Sequence, residues 1–117
     1  MLEKDVEHYL KTGIEKKIPG ARCWKFVSPG LRGVPDRIIL LPGAKVVFAE
    51  LKKPGKKPGP LQRYVHGLIE RLGFEVFGCV DTKEKADAVI RHCYFLVYEW
   101  PAFVRDIWAG EEEHRGS

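Results

Sequence analysis

Cysteine is scarce and unpaired in this chain. Cys23, Cys79 and Cys93 are its 3 cysteines, and no two of them show the Cys-x-x-Cys spacing of a zinc site or redox pair. A disulfide framework is not expected, and all three read as buried free thiols. Long apolar runs are missing as well. No stretch approaches the roughly 18 uninterrupted apolar residues of a membrane span, and the opening Met1-Leu2-Glu3-Lys4-Asp5 lacks a signal-peptide pattern. The expectation is a cytoplasmic protein. Nor does charge of one sign dominate: 20 Lys plus Arg against 16 Asp plus Glu leave a formal +4, which favours an anionic partner without naming one. At 117 residues the chain has room for one domain with a real core, not two. That domain is expected over residues 1–110, with the acidic end 111–117 as a disordered tail.

What is present concentrates between Gly33 and Lys52. Pro35-Asp36-Arg37-Ile38-Ile39-Leu40-Leu41 and Lys45-Val46-Val47-Phe48-Ala49-Glu50-Leu51-Lys52 are two Val- and Ile-rich runs joined by Pro42-Gly43-Ala44, the pattern of an antiparallel hairpin. A loop of about three residues makes cross-strand partners sum to 86, so Asp36 falls opposite Glu50. Side chains alternate along a strand, so Glu50 and Lys52 share a face. Two carboxylates and an amine then meet at the open end of the hairpin. One reading is an exposed salt bridge on a solvated sheet face. The other is a site for a hard divalent cation such as magnesium or manganese, with the lysine beside a reacting water.

The flanking segments supply the remaining elements. Leu2, Val6, Tyr9, Leu10 and Ile14 recur at helical spacing through about residue 16. Glu3 and Glu7 lie on nearly the same face of that helix, either able to reach a neighbouring site or simply to complement the helix dipole. Residues 22–27 alternate as a strand, and 28–35 form a loop fixed by two glycines and two prolines. Arg32 and Arg37 flank the acidic cluster and are candidates for phosphate contact. Lys53-Pro54-Gly55-Lys56-Lys57-Pro58-Gly59-Pro60 is expected as a mobile basic loop at the mouth of the site, with Lys53, Lys56 and Lys57 placed to hold a polyanionic backbone. Pro60 opens a second helix carrying Gln62 in its first turn, with His66 read as a surface or semi-buried residue. Residues 74–80 form a further strand, and Asp81 reads as the cap of a helix to about Arg91, with Glu84 three residues on. From Tyr94 to Trp108 the chain carries more apolar surface than a terminal extension needs. It packs back on the domain or forms part of a twofold subunit interface.

With Pro35-Asp36, Glu50-Leu51-Lys52, a preceding helix bearing acids and a following one bearing Gln62, the sequence resembles the PD-(D/E)xK nuclease superfamily. Gly33-Val34-Pro35-Asp36-Arg37, Phe48-Ala49-Glu50-Leu51-Lys52 and Gln62 more narrowly resemble the VRR-NUC family in its small stand-alone phage-type form, over roughly residues 2 to 90. The resemblance implies an α/β fold with an α-β-β-β-α-β restriction-endonuclease-like core, a mixed sheet flanked by helices, a further helix and an apolar C-terminal extension. It implies a Mg2+-dependent DNA endonuclease, with Mn2+ as a substitute. Asp36, Glu50 and the Leu51 carbonyl would bind the metal, and Glu3, or instead Glu7, would complete the site. Lys52 would position and activate the attacking water, and Gln62 would support the water or the scissile phosphate. Stand-alone members resemble Holliday-junction resolvases that act as homodimers. Flap or fork cleavage, or a basic DNA-binding module without catalysis, are the alternatives.

Overall fold

The computed structural model describes residues 2–115, including every side chain except those of Phe103 and residues 111–115. Helix α1, Glu3–Lys17, buries Val6, Leu10 and Ile14 on one face, the i, i+4, i+8 stripe that its sequence carries. Lys16 and Lys17 in the last turn complement the helix dipole, and the chain then turns at 18–20.

Strands β1, Arg22–Lys25, β2, Arg37–Leu41, and β3, Lys45–Leu51, form an antiparallel meander. The β2–β3 register pairs Arg37 with Ala49 and Ile38 with Phe48, so the expected sum of 86 is the one observed. Helix α2, Pro60–Arg71, crosses to β4, Glu75–Val80, which runs parallel to β3 and completes the order β1-β2-β3-β4. The pairing slips by one residue between Ala49 and Leu51. Such irregularities re-aim side chains beside active sites, and here the residue between them is Glu50.

One face of the sheet, through Cys23, Ile39, Val47, Ala49 and Leu51, packs with α1 and with helix α3, Lys83–Tyr94, in a single buried cluster. The opposite face presents Phe26, Phe48 and Phe74 to Val65, Leu68, Ile69 and Leu72 of the α2 region. The sheet is therefore mixed and flanked by helices on both sides, as expected. Among the described residues, no helix is long and apolar enough to cross a membrane.

Two details differ from the expectation. Thr82, not Asp81, caps α3, its hydroxyl accepting the Lys85 amide at 3.2 Å; the extended conformation that caps a helix falls one residue later, which leaves the Asp81 carboxylate for other contacts. The chain past Tyr94 also stays helical, through one wider π-helical turn, Phe95–Glu99, into α4, Trp100–Arg115. Leu96 and Val97 pack on the core, whereas Tyr98, Trp100, Ile107 and Trp108 face outward. The expected acidic tail thus overlaps α4 as far as Arg115, and Gly116 and Ser117 lie outside the described residues.

Candidate active site

Asp36 enters β2 and Glu50 leaves β3 directly across from it. The pair is cross-clamped through the backbone: the Asp36 amide donates to Glu50 Oε1 at 3.0 Å, and the Leu51 amide donates to Asp36 Oδ2 at 3.0 Å. Each carboxylate thus receives one backbone amide of the neighbouring segment. Glu50 is 1% exposed. Burial first, and the adjacent Asp36 charge second, push its carboxyl above the usual glutamate range, while Lys52 pulls it back.

Gln62 and Lys52 close the arrangement. Gln62 Nε2 donates to Glu50 Oε2 at 2.6 Å, and Lys52 Nζ lies 2.8 Å from Gln62 Oε1 and 3.2 Å from Glu50 Oε2. Gln62 Oε1 also accepts the Gly59 amide at 3.1 Å, satisfying one of the free donors at the start of α2. One amide therefore caps a helix and ties it to β3. The loop before Asp36 makes this approach possible. Gly33 has φ +91°, and a Cβ there would come within 3.1 Å of the Leu61 carbonyl oxygen and of Val65 Cγ2, so only glycine lets the first turn of α2 sit this close.

Glu3, Asp36, Glu50, Leu51, Lys52, Gln62 and the loop lysines Lys53, Lys56 and Lys57 line one cleft of about 340 Å³. It joins an acidic floor to a basic rim. Arg32 is exposed in the 28–35 loop and is not among the lining residues. Arg37, expected at phosphates, turns the other way. It is 6% exposed, with Nη1 donating to the Cys23 carbonyl at 3.1 Å and Nη2 paired with Glu7 at 2.9 Å. Strand alternation puts Arg37 on the face opposite Asp36, where α1 supplies the carboxylate it needs. The same pair engages Glu7 and leaves Glu3 as the α1 acid in the cleft.

His66 is more enclosed than expected, 4% exposed, with Nε2 lacking a partner among the described residues. Burial pushes its pKa down. Cys23 and Cys93 are the buried thiols that their sequence context suggests, raised by burial to about 11 and about 12 respectively. Cys79 is only partly buried. The lysine loop is not free either: it turns on a 2.9 Å bond from the Lys56 amide to the Lys53 carbonyl, and the Cys79 thiol reaches the Lys56 carbonyl at 3.4 Å.

The donor set fits a hard divalent cation. Two adjacent carboxylates with one ammonium beside Glu50 leave an excess of negative charge. Magnesium is typically held by one or two carboxylates while it keeps several waters, which Asp36, Glu50 and the Leu51 carbonyl can satisfy. Among the described residues no three His, Cys, Asp or Glu side chains converge as a closed metal cluster. Glu3 is the α1 carboxylate that lines the same cleft.

No protein-family model matches the chain. A protein named "Putative nuclease p44", from Acyrthosiphon pisum secondary endosymbiont phage 1, is 45% identical over 74 residues, which cover 63% of this chain and 77% of that protein. A solved structure described as a VRR_NUC domain matches with a TM-score of 0.68 and 31% identity, over 77% of this chain and 95% of its own. The strands, the crossover helix and the Asp36–Glu50–Lys52 edge together with these relatives give one answer: the chain belongs to the VRR-NUC family of nucleases.

Proposed function

We propose that this chain is a Mg2+-dependent, structure-specific DNA endonuclease that hydrolyses phosphodiester bonds in branched DNA as a homodimer, with the Holliday junction as its substrate. The observation that carries the reading is the interlocked set Asp36, Glu50, Lys52 and Gln62 on the floor of a cleft rimmed by lysines. A purely electrostatic binder has no use for two carboxylates facing the phosphate backbone.

When bound, magnesium supplies a water of lowered pKa and a counter-charge for the phosphate; manganese has the same preference for oxygen donors and substitutes for it. Asp36, Glu50 and the Leu51 carbonyl would hold the ion, and Glu3 would complete the site from the cleft wall. Lys52 orients the attacking water and donates to the phosphate oxygens as negative charge builds on them. Gln62 keeps Lys52 and Glu50 in register. Lys53, Lys56 and Lys57 draw the DNA backbone over the cleft, and exposed Arg32 extends that contact beyond it. The outward aromatic surface of the C-terminal helices, with Trp100 43% and Trp108 56% exposed, supports pairing of two copies, so that two sites can cut symmetric strands.

A panel of labelled four-way junction, flap, fork and linear duplex, incubated with Mg2+ and with EDTA, tests the reading alongside a light-scattering mass. Paired nicks in the four-way junction, dependent on Mg2+ and made by a species of twice the chain mass, are expected. Preferred cutting of flaps or forks by a species of one chain mass would replace junction resolution with repair-type cleavage. Binding without turnover in any metal would overturn the catalytic reading.

A further inference from the structure

Two stretches of the chain are free of acid. No Asp or Glu lies between Glu15 and Asp36 or between Glu50 and Glu70, and the fold lays the two stretches together: Gly33 brings the 28–35 loop onto the Leu61 carbonyl and Val65 in α2. Within α2, Gln62 bonds Glu50 in the cleft, and Val65 and His66 are buried. At about 3.6 residues per turn, that leaves Tyr64 on the outward face of the helix with Leu61 at its edge. Tyr64 is 61% exposed and Leu61 50%, and Leu31 is exposed on the adjoining loop. Arg32 and Arg63 are exposed in the same two segments. Among the described residues, neither guanidinium nor the Tyr64 hydroxyl has a hydrogen-bond or ion-pair partner, so none of the three side chains is engaged in holding the fold.

We propose that Tyr64, with Leu61 and Leu31 beside it, is a stacking platform for a base left uncovered at a DNA branch point, and that Arg32 and Arg63 hold the flanking phosphates. Every base has a π-face on which an aromatic ring can stack, and proteins that take unstacked bases combine such rings with a cationic surface. The acid-free surface around Tyr64 has no carboxylate to repel a phosphate. In a continuous duplex both faces of each base are covered by its neighbours, so the ring gains nothing there. At a junction, fork or flap the stack is interrupted and a face is open. A helix with its side chains is about 10 Å across, which sets the Tyr64 ring roughly that far from Gln62, a few nucleotides from a phosphate in the cleft. The platform rests on the nuclease reading for its ligand, and it adds to that reading what separates branched from linear DNA.

Binding in EDTA, without cutting, reads the platform directly, with a four-way junction carrying 2-aminopurine at the branch and a linear duplex of the same length as probes. Tyr64→Ala is expected to weaken junction binding roughly 10- to 100-fold, the loss of one stacked base, and duplex binding by no more than about twofold. The change in 2-aminopurine fluorescence that wild type produces should be lost with it. Tyr64→Phe keeps the ring and should match wild type on both DNAs. Arg63→Ala should weaken both alike and flatten the salt dependence. Because Tyr64 is exposed, its variants should keep the wild-type melting temperature and light-scattering mass. Equal losses on junction and duplex, or a Tyr64→Phe defect as large as that of Tyr64→Ala, would overturn the platform. A changed mass in Tyr64→Ala would overturn it too, and assign the patch to contact between copies of the chain. Wild type that binds neither DNA would overturn the nuclease reading itself, whereas junction binding and cutting that Tyr64→Ala leaves unaltered would overturn the platform alone.

Discussion

Gln62 Nε2 lies 2.6 Å from Glu50 Oε2 while Gln62 Oε1 receives both Lys52 Nζ at 2.8 Å and the Gly59 amide at 3.1 Å. The first turn of α2 and the Glu50 end of β3 are thereby fixed by one side chain, with both acceptor directions of Oε1 and one donor of Nε2 engaged. Removing it should affect chemistry more than stability. Gln62→Ala is expected to lower kcat roughly 10- to 100-fold, as losses of supporting groups around metal ligands do, while costing about 1 kcal/mol through the lost cap. Single-turnover cleavage and urea unfolding on the same preparation separate the two.

Lys52 carries a different load. Its side chain is 19% exposed and sits between Glu50 and Gln62, so Lys52→Ala should leave both carboxylates able to bind Mg2+. The rate should fall by roughly 10²- to 10⁴-fold, the range for a positioned proton-handling group. Calorimetric Mg2+ binding together with single-turnover rates checks this. Loss of metal binding, or a rate near that of wild type, would count against the assigned role.

Arg37 neighbours Asp36 in sequence yet serves the fold. Because it is buried and paired with Glu7 at 2.9 Å, Arg37→Ala leaves a carboxylate facing the sheet without its partner, and a stability loss of about 3 kcal/mol is expected. Arg32→Ala, on an exposed loop, should leave stability unchanged within about 0.5 kcal/mol. Urea midpoints for the two variants distinguish a structural arginine from an exposed one.

The contrast between those arginines shows what was legible in the sequence. The facing of Asp36 and Glu50 follows from local rules alone: a three-residue Pro42-Gly43-Ala44 turn fixes the register, and alternation fixes the faces. The burial of Arg37 and the engagement of Glu7 depend on how α1 docks 30 residues away in the chain, which no local pattern encodes. His66 is enclosed for a similar reason, since its surroundings come from β4, where Gly78 leaves room beside its ring. At Asp81-Thr82 two adjacent residues could both cap a helix, and only the extended backbone of Thr82 decides between them. Beyond Tyr94 the apolar content was plain, but its continuation as a helix required α3 to pass into a π-helical turn.

Glu15 offers a pH-dependent test of the α1–β1 junction. A hydrogen bond from Lys11 at 2.7 Å, then the Cys23 amide at 3.1 Å, hold its carboxyl below the ordinary glutamate value of 4.5. A folded-state pKa below the unfolded one means that the stabilisation is fully present above that value and is lost as pH falls through the lower folded one. With the side chain 26% exposed, Glu15→Gln should cost about 1 kcal/mol at neutral pH. The gap to wild type should close in acid, below the folded-state pKa. Urea unfolding as a function of pH measures it; a constant gap would contradict the assigned cause.

The most direct test of the catalytic centre is the nicking rate on a labelled four-way junction, for wild type and Asp36→Asn, with Mg2+ and with EDTA. Asn keeps the shape of Asp36 and an acceptor for the Leu51 amide but removes the charge that a cation needs. Cleavage by wild type in Mg2+ alone, with Asp36→Asn slower by at least roughly 100-fold, is the expected result. Cleavage that persists in EDTA, or Asp36→Asn cutting as fast as wild type, would contradict it.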